Sequence, residues 1–405
     1  MAYDFDRRIP RNGTGSLKWD FISLPGERCF WDETDPSKHA RPVLPLWVAD
    51  MDFPAPQEVV EAVTERARQG IYGYAIPTDA YYDAVISWMA RRQGWQIERE
   101  WICLTAGVVP ALHMLVSTYV KPGEKVLIQP PVYYPFYRAI ENNDAVVVLN
   151  PLIYENGRYR MDFDDLARKC ADPAVKMAIL CSPHNPVGRV WTRDELRRFG
   201  EICLTHDVLV VSDEVHGDLI FGDVSFTPYA SLGGAFSDRA VVCTAPSKTF
   251  NLAGLQSSNL IIPHPELRAV YRKTLQRNGF YTLNAFGLLA AETAYRHGEA
   301  WLTQVLAYIE ENYHCLTAFL STHLPMLKPV PLEGTYLAWI DCRALGLDAD
   351  ALERLMLEEA RVYLDEGYIF GPEGEGFERI NLACPRSLLI EALERIKTAV
   401  DALKR

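Results

Sequence analysis

Between residues 101 and 262, short apolar runs recur with longer amphipathic segments between them. The runs are Trp101–Thr105, Lys125–Gln129, Ala145–Leu149, Lys176–Cys181, Val208–Ser212, Ala240–Thr244 and Asn259–Ile262. Each has the length of a strand, and most are continuously hydrophobic, as strands covered on both faces are. The segments between them are long enough to cross over as helices, which predicts an α/β domain with a mostly parallel sheet flanked by helices. One helix marks its own start: Thr192-Arg-Asp-Glu195 is a capping box ahead of Leu196, Phe199 and Ile202.

After about residue 290 the rhythm changes to long helical patterns, followed by strand-like runs at Tyr336–Asp341 and Glu378–Ala383 and a closing helix from about Ser387. This predicts a smaller α+β domain built from the two chain ends. Residues 1–60 are irregular, rich in Pro and Trp, and are expected to join the small domain or an interface. The expected layout is an N-terminal segment 1–60, a large domain 61–290 and a small domain 291–405, which suits a chain of 405 residues.

Charge narrows the partners. With 53 acidic and 41 basic side chains the net charge is -12, so the overall field repels phosphate backbones and anionic membranes. Neither nucleic acid nor a membrane is an expected partner, and no apolar run reaches the roughly 18 residues of a membrane span. Nine cysteines, at 29, 103, 170, 181, 203, 243, 315, 342 and 384, are scattered singly without a Cys-x-x-Cys pair. They read as reduced, mostly buried thiols, and no metal site is expected. The N-terminus carries acidic residues where an apolar signal core would begin, which makes the cytoplasm the expected location.

Candidate chemistry lies just beyond the strand-like runs, because open parallel sheets bind ligands at the carboxyl ends of their strands. Three runs end in reactive or polar residues: Lys176–Cys181 leads to Asn185, Val208–Ser212 to Asp213, and Ala240–Thr244 to Ser247 and Lys248. The spacings are 28 residues from Asn185 to Asp213 and 35 from Asp213 to Lys248, each about one helix-plus-strand unit. Singly these are a turn residue, a helix cap and a solvated amine. Together, an amide, a carboxylate and an amine at neighbouring sheet ends suit pyridoxal 5'-phosphate. Lysine binds its aldehyde, a carboxylate keeps its ring nitrogen protonated, and an amide donates to its ring oxygen.

Ser182-Pro-His-Asn-Pro-Val-Gly, Asp213-Glu214 after a hydrophobic run, and Ser247-Lys-Thr-Phe-Asn-Leu-Ala-Gly resemble the aminotransferase-type, fold type I pyridoxal-phosphate enzymes over nearly the whole chain. The resemblance implies the aspartate-aminotransferase-like architecture. It makes Lys248 the cofactor-bearing lysine, Asp213 the partner of the ring nitrogen and Asn185 that of the ring oxygen. Gly107, Val108 and Val109 match the turn that opens a helix beneath the phosphate, and Ser247 is a further phosphate contact. Tyr133 matches the aromatic residue over the ring. Tyr74, in Ile71-Tyr-Gly-Tyr74, matches the residue that reaches the neighbouring subunit's phosphate, which implies a homodimer with shared active sites. Arg386, at the end of Arg379-Ile-Asn-Leu-Ala-Cys-Pro-Arg386, matches the arginine that grips the substrate carboxylate, its fork of donors suiting a bidentate contact. Ala49 is its expected backbone helper, whereas Arg379 is read as structural.

Two positions depart from the aminotransferase pattern. His216 stands where many aminotransferases have tyrosine, and Gln256 where they have arginine; His216 is kept as a cofactor contact. Trp47-Val-Ala-Asp-Met-Asp-Phe-Pro54, Ile71–Tyr74, Cys181–Trp191, Ser247–Asn251 and Ala383–Arg386 are together similar to the MalY/PatB-type cystathionine β-lyases. That similarity implies α,β-elimination of cystathionine or S-substituted cysteines to a thiol, ammonia and pyruvate. A class I/II aminotransferase is the alternative.

Overall fold

The computed structural model describes residues 3–24, 27–30 and 42–403, with only the backbone of 21–24 and 27–30. Cys29 therefore lies outside the described side chains. Two compact units make up the chain. The larger comprises Pro54–Thr303 with Glu333–Thr335, and the smaller comprises Met1–Phe53, Gln304–Leu332 and Tyr336–Arg405.

In the larger unit the apolar runs form strands β1 Ile102–Thr105, β2 Lys125–Ile128, β3 Val146–Leu149, β4 Val175–Cys181, β5 Leu209–Asp213, β6 Ala240–Thr244 and β7 Ser258–Ile261. They make one sheet in the order β1-β7-β6-β5-β4-β2-β3. Every residue of β4, β5 and β6 is buried except Lys176, which is why these runs are apolar at consecutive rather than alternate positions. On one face Val126, Ile128, Met177, Ile179, Leu209, Val211, Val241 and Cys243 pack with Leu112, Leu115 and Val116 of the helix Val108–Tyr119. Each such aliphatic side chain contributes about 1.5–3 kcal/mol on burial.

The expected parallel arrangement has one exception. Strand β7 runs antiparallel to both β6 and β1. Residues 245–257 hold only a four-residue helix and a three-residue 3-10 turn. Without a crossover helix the chain turns back on itself. The capping box at Thr192–Glu195 is present with both of its reciprocal hydrogen bonds and opens the helix Arg193–Thr205.

In the smaller unit, β8 Lys328–Pro329, β9 Leu337–Asp341, β10 Asp365–Glu366 and β11 Phe377–Asn381 form an antiparallel sheet in the order β8-β9-β11-β10. The closing helix Arg386–Ala402 buries Leu388, Leu389, Leu393, Ile396 and Val400. Near the N-terminus, buried Lys18 donates to Asp52 at 2.7 Å, and Arg11 binds both Asp50 and Asp52 at 2.7 Å. Among the described residues eight cysteines are free, and all but Cys315 are buried. No helix of the described residues is long and apolar enough to cross a membrane.

Candidate active site

Strand register brings the polar strand ends together. Cys181 of β4 lies opposite Asp213 of β5, and Asp213 lies opposite Cys243 of β6. Ser182 N–H donates to Asp213 O at 3.0 Å, and Glu214 N–H to Cys243 O at 2.9 Å, which pins the three chain exits side by side. Asn185, Asp213 and the Ser247-Lys248 pair thus belong to one sheet edge. Tyr133, in the segment after β2, joins them through its N–H, which donates to Asn185 O at 3.1 Å.

The loop carrying Asn185 is held from several sides. Asn185 N–H donates to Cys181 Sγ at 3.3 Å, and Trp191 Nε1 donates to Cys181 O at 2.9 Å. His184 Nε2 meets Pro131 O at 2.9 Å. Burial pushes the His184 imidazole down to about 4, so it is neutral at physiological pH and Nε2 carries the donated proton. From the far end of the sequence, Glu333 accepts from Arg189 Nε at 2.8 Å and from Val190 N–H at 2.9 Å. Glu333 and Gly334 N–H groups both donate to Gly188 O, at 2.9 and 3.0 Å. Gly334 has no room for a side chain, since a Cβ would lie 2.8 Å from Pro183 Cβ. His184, Arg189 and Glu333 were not anticipated from sequence; the ion pair joins residues 144 positions apart, a separation at which no local pattern signals a contact.

Lys248 sits on the short helix Pro246–Thr249, directly after β6, and is half-buried like Ser247. Asp213 is only 4% exposed. Burial pushes its carboxyl up to about 6, against the Val215 N–H hydrogen bond and the positive charge of Lys248. Gly107 is the N-cap of the helix Val108–Tyr119, and no side chain caps that end. Among the described residues the first-turn N–H groups of Val108 and Val109 therefore have no capping side chain. His216 is buried on the turn after β5, where its carbonyl accepts from Leu219 N–H at 2.9 Å. Gln256 is exposed and left-handed, with φ 51°. Tyr74 is fully exposed, in a stretch with Ile71, Tyr72 and Ile76 also exposed.

In the smaller unit the two arginines stand on different elements. Arg379 lies in the strand Phe377–Asn381, and Arg386 is the first residue of the final helix. Its guanidinium donates to Asn312 Oδ1 at 3.1 Å and to Glu311 Oε2 at 2.7 Å, and stacks 4.9 Å over Tyr308. The main chain around Ala49 runs instead beside Arg379 and Asn381. Arg379 Nη2 donates to Trp47 O at 2.8 Å and to Asp365, while Asn381 Nδ2 donates to Val48 O at 2.7 Å and Asp50 O at 2.6 Å. Ala49 O accepts from Tyr336 Oη at 2.7 Å.

The sequence pattern of the aminotransferase class I and II family matches residues 41–396. The chain belongs to that family. It is 47% identical to cystathionine beta-lyase PatB of Bacillus subtilis, over 98% of this chain and all of the relative. Cystalysin from Treponema denticola, which contains a pyridoxal 5'-phosphate cofactor, superposes with a TM-score of 0.93 at 40% identity over the whole of both chains. A pyridoxal-phosphate-bound C-S lyase from Staphylococcus hominis does so with a TM-score of 0.88 at 33% identity over 99% of each.

The class I and II fold is thus that of a pyridoxal-phosphate enzyme, and the donor set fits that group. An amine, a buried carboxylate with one oxygen taken by a backbone N–H at 3.2 Å, an amide and an uncapped helix N-terminus share one sheet edge. These match an aldehyde, a protonated ring nitrogen, a ring oxygen and a phosphate.

Glu214, next to Asp213, is a buried carboxyl whose Oε1 accepts from Tyr229 N–H at 2.7 Å and Ser212 Oγ at 2.8 Å, while Oε2 is buried without a partner among the described residues. Burial raises it from 4.5 to about 8, with the Asp213 charge adding to the shift. Its folded-state value lies above the unfolded one. Its protonated form therefore favours the fold fully below about pH 4.5, and that contribution is lost as pH rises through about 8. The cofactor-free protein is expected to lose thermal stability over this range, and Glu214→Gln to flatten the fall, leaving the smaller part due to Asp213. Melting temperatures between about pH 5 and about pH 9 check this; equal slopes for the two proteins would remove Glu214 as the cause.

Proposed function

We propose that this chain is a pyridoxal-phosphate-dependent carbon–sulfur β-lyase that eliminates the thiol from cystathionine or another S-substituted cysteine, releasing ammonia and pyruvate. The observation that carries the chemistry is the strand register that brings Asn185, buried Asp213 and Lys248 to one sheet edge. The similarity to proteins named as cystathionine beta-lyase and C-S lyase supports elimination over amino transfer. The direct test is an assay with one substrate. Cystathionine or an S-alkyl cysteine alone should yield pyruvate and thiol. Amino transfer to a keto acid with neither product would make the chain an aminotransferase.

Pyridoxal phosphate, when bound, supplies an electron sink for a carbanion at the substrate α-carbon. Lys248 would hold it covalently, Asp213 would keep its ring nitrogen protonated, and Asn185 would donate to its ring oxygen. Tyr133 would cover the ring, His216 would make a further contact, and Gly107, Val108, Val109 and Ser247 would hold the phosphate. Lys248 Nζ takes the α-proton from the substrate and delivers a proton to the departing sulfur, so one amine acts as base and then as acid.

For the α-carboxylate grip the choice lies between two arginines. Both arginines are engaged, Arg386 with Glu311 and Asn312 and Arg379 with Asp365 and Trp47 O, but only Arg379 lies beside the Trp47–Asp50 main chain that includes Ala49. Arg379 is therefore favoured as the grip, with Arg386 as a helix-end anchor. Arg379→Lys is expected to raise KM by about tenfold or more, since a bidentate contact becomes a point contact. Arg386→Lys should leave KM within about threefold. Steady-state kinetics on both variants decide it, and the reverse ranking would restore Arg386.

The exposed apolar stretch of Ile71, Tyr72, Tyr74 and Ile76 is the face assigned to a second copy of the chain, with Tyr74 completing the partner's phosphate site. A solution mass of twice 45.9 kDa is expected by light scattering.

A further inference from the structure

The two residues that follow Lys248 are anchored by separate means. Phe250 is fully buried, with its ring 5.3 Å from Trp88 and 6.2 Å from both Tyr295 and Trp301. A Cβ on Gly298 would lie 2.4 Å from the Phe250 ring, so the ring fills that space completely. Thr249, also fully buried, donates its hydroxyl to Asp218 Oδ2 at 2.8 Å. Asp218 stands on the turn five residues after Asp213 and is 8% exposed. Its carboxylate also accepts from Trp88 Nε1, at 3.0 Å to one oxygen and 3.2 Å to the other, and from Gln93 Nε2 at 3.3 Å. Trp88 and Gln93 both belong to the helix Asp79–Gln93.

A carboxylate in such a place is costly to desolvate, and an aliphatic residue could fill the same volume. What the carboxylate adds is directional. It joins three parts by hydrogen bonds: the helix Asp79–Gln93, the turn after β5 that carries Asp218, and the helix Pro246–Thr249 that carries Lys248. The helix Pro246–Thr249 is only four residues long and cannot fix its own orientation by internal hydrogen bonding. The aromatic box around Phe250 holds the end of this helix by shape. The Thr249–Asp218 hydrogen bond adds a directional restraint on the residue next to Lys248.

We propose that Asp218 is a positioning residue for Lys248: through the Thr249 hydroxyl it sets the direction in which the lysine amine is presented. The proposal rests on the reading of Lys248 as the cofactor-bearing lysine, and its consequence concerns capture of the cofactor as well as turnover. An amine displaced by about 1 Å from its reactive geometry can lose up to about a hundredfold in rate.

The experiment measures how fast cofactor-free protein captures pyridoxal phosphate covalently, by stopped-flow absorbance, together with the visible circular dichroism of the loaded protein, which reports cofactor orientation. Thr249→Val keeps the shape and removes the hydroxyl; it should slow capture about tenfold and reduce the dichroic band while leaving the melting temperature near that of the wild type. Thr249→Ser keeps the hydroxyl and should restore both. Asp218→Ala should slow capture at least as much, and the double variant no further, because both changes break one interaction. Wild-type capture and dichroism in Thr249→Val, or losses that multiply in the double variant, would overturn the proposal. Lys248→Ala should not capture. If it captures as well as the wild type, the reading of Lys248 and this proposal fall together. A wild type that captures normally but eliminates no thiol would sink the lyase reading alone.

Discussion

Lys248→Ala is expected to lower turnover in β-elimination by at least about a thousandfold, because it removes the covalent anchor and the group that carries the proton in one change. Lys248 is half-buried on a four-residue helix whose neighbour Phe250 is anchored independently, so the variant is expected to fold. Loss of the amine also removes the positive charge that draws Asp213 downward. The Asp213 carboxyl of the cofactor-free variant should therefore titrate above about 6, with the sign following from burial left unopposed by Lys248. Pyruvate and thiol release with cofactor in excess checks the first expectation, and carboxyl titration by infrared difference spectroscopy the second. Full turnover with an unaltered visible band would remove Lys248 from the chemistry.

Asp213→Asn carries the second largest expected effect, a fall in kcat of about a hundredfold or more with a smaller change in KM. The substitution conserves shape and the acceptor for Val215 N–H, which stands 3.2 Å from Oδ1, but removes the negative charge. A ring nitrogen facing a neutral amide has no partner to keep its proton. Asp213→Glu retains the charge at an altered reach and should lose less. Turnover of Asp213→Asn within about threefold of the wild type would separate Asp213 from the cofactor ring and leave its burial a purely structural feature.

The residues that could be read from the chain are those whose signal is local. Strands such as Val175–Cys181 and Ala240–Thr244 were legible because burial on both faces makes them apolar along nearly their whole length. The Thr192 capping box was legible because its partners are three residues apart. The grouping of Asn185, Asp213 and Lys248 was legible for a related reason: each directly follows such a strand, and adjacent parallel strands carry their ends to one edge.

Tertiary structure decided what depends on distant partners. It set the antiparallel direction of β7, because residues 245–257 return the chain without a crossover helix. It gave Arg386 to Glu311 and Asn312, and set Arg379 beside Trp47, 332 residues away, although both arginines stand in one eight-residue motif. It placed Glu333 on the loop of Asn185 and Asp218 on the residue after Lys248. Sequence alone determined which chemical groups are present and which sheet edge carries them, because periodicity and strand ends are local properties. Only the folded chain decided which side chains orient those groups, because a hydrogen bond between residues far apart in sequence leaves no periodic trace in either segment.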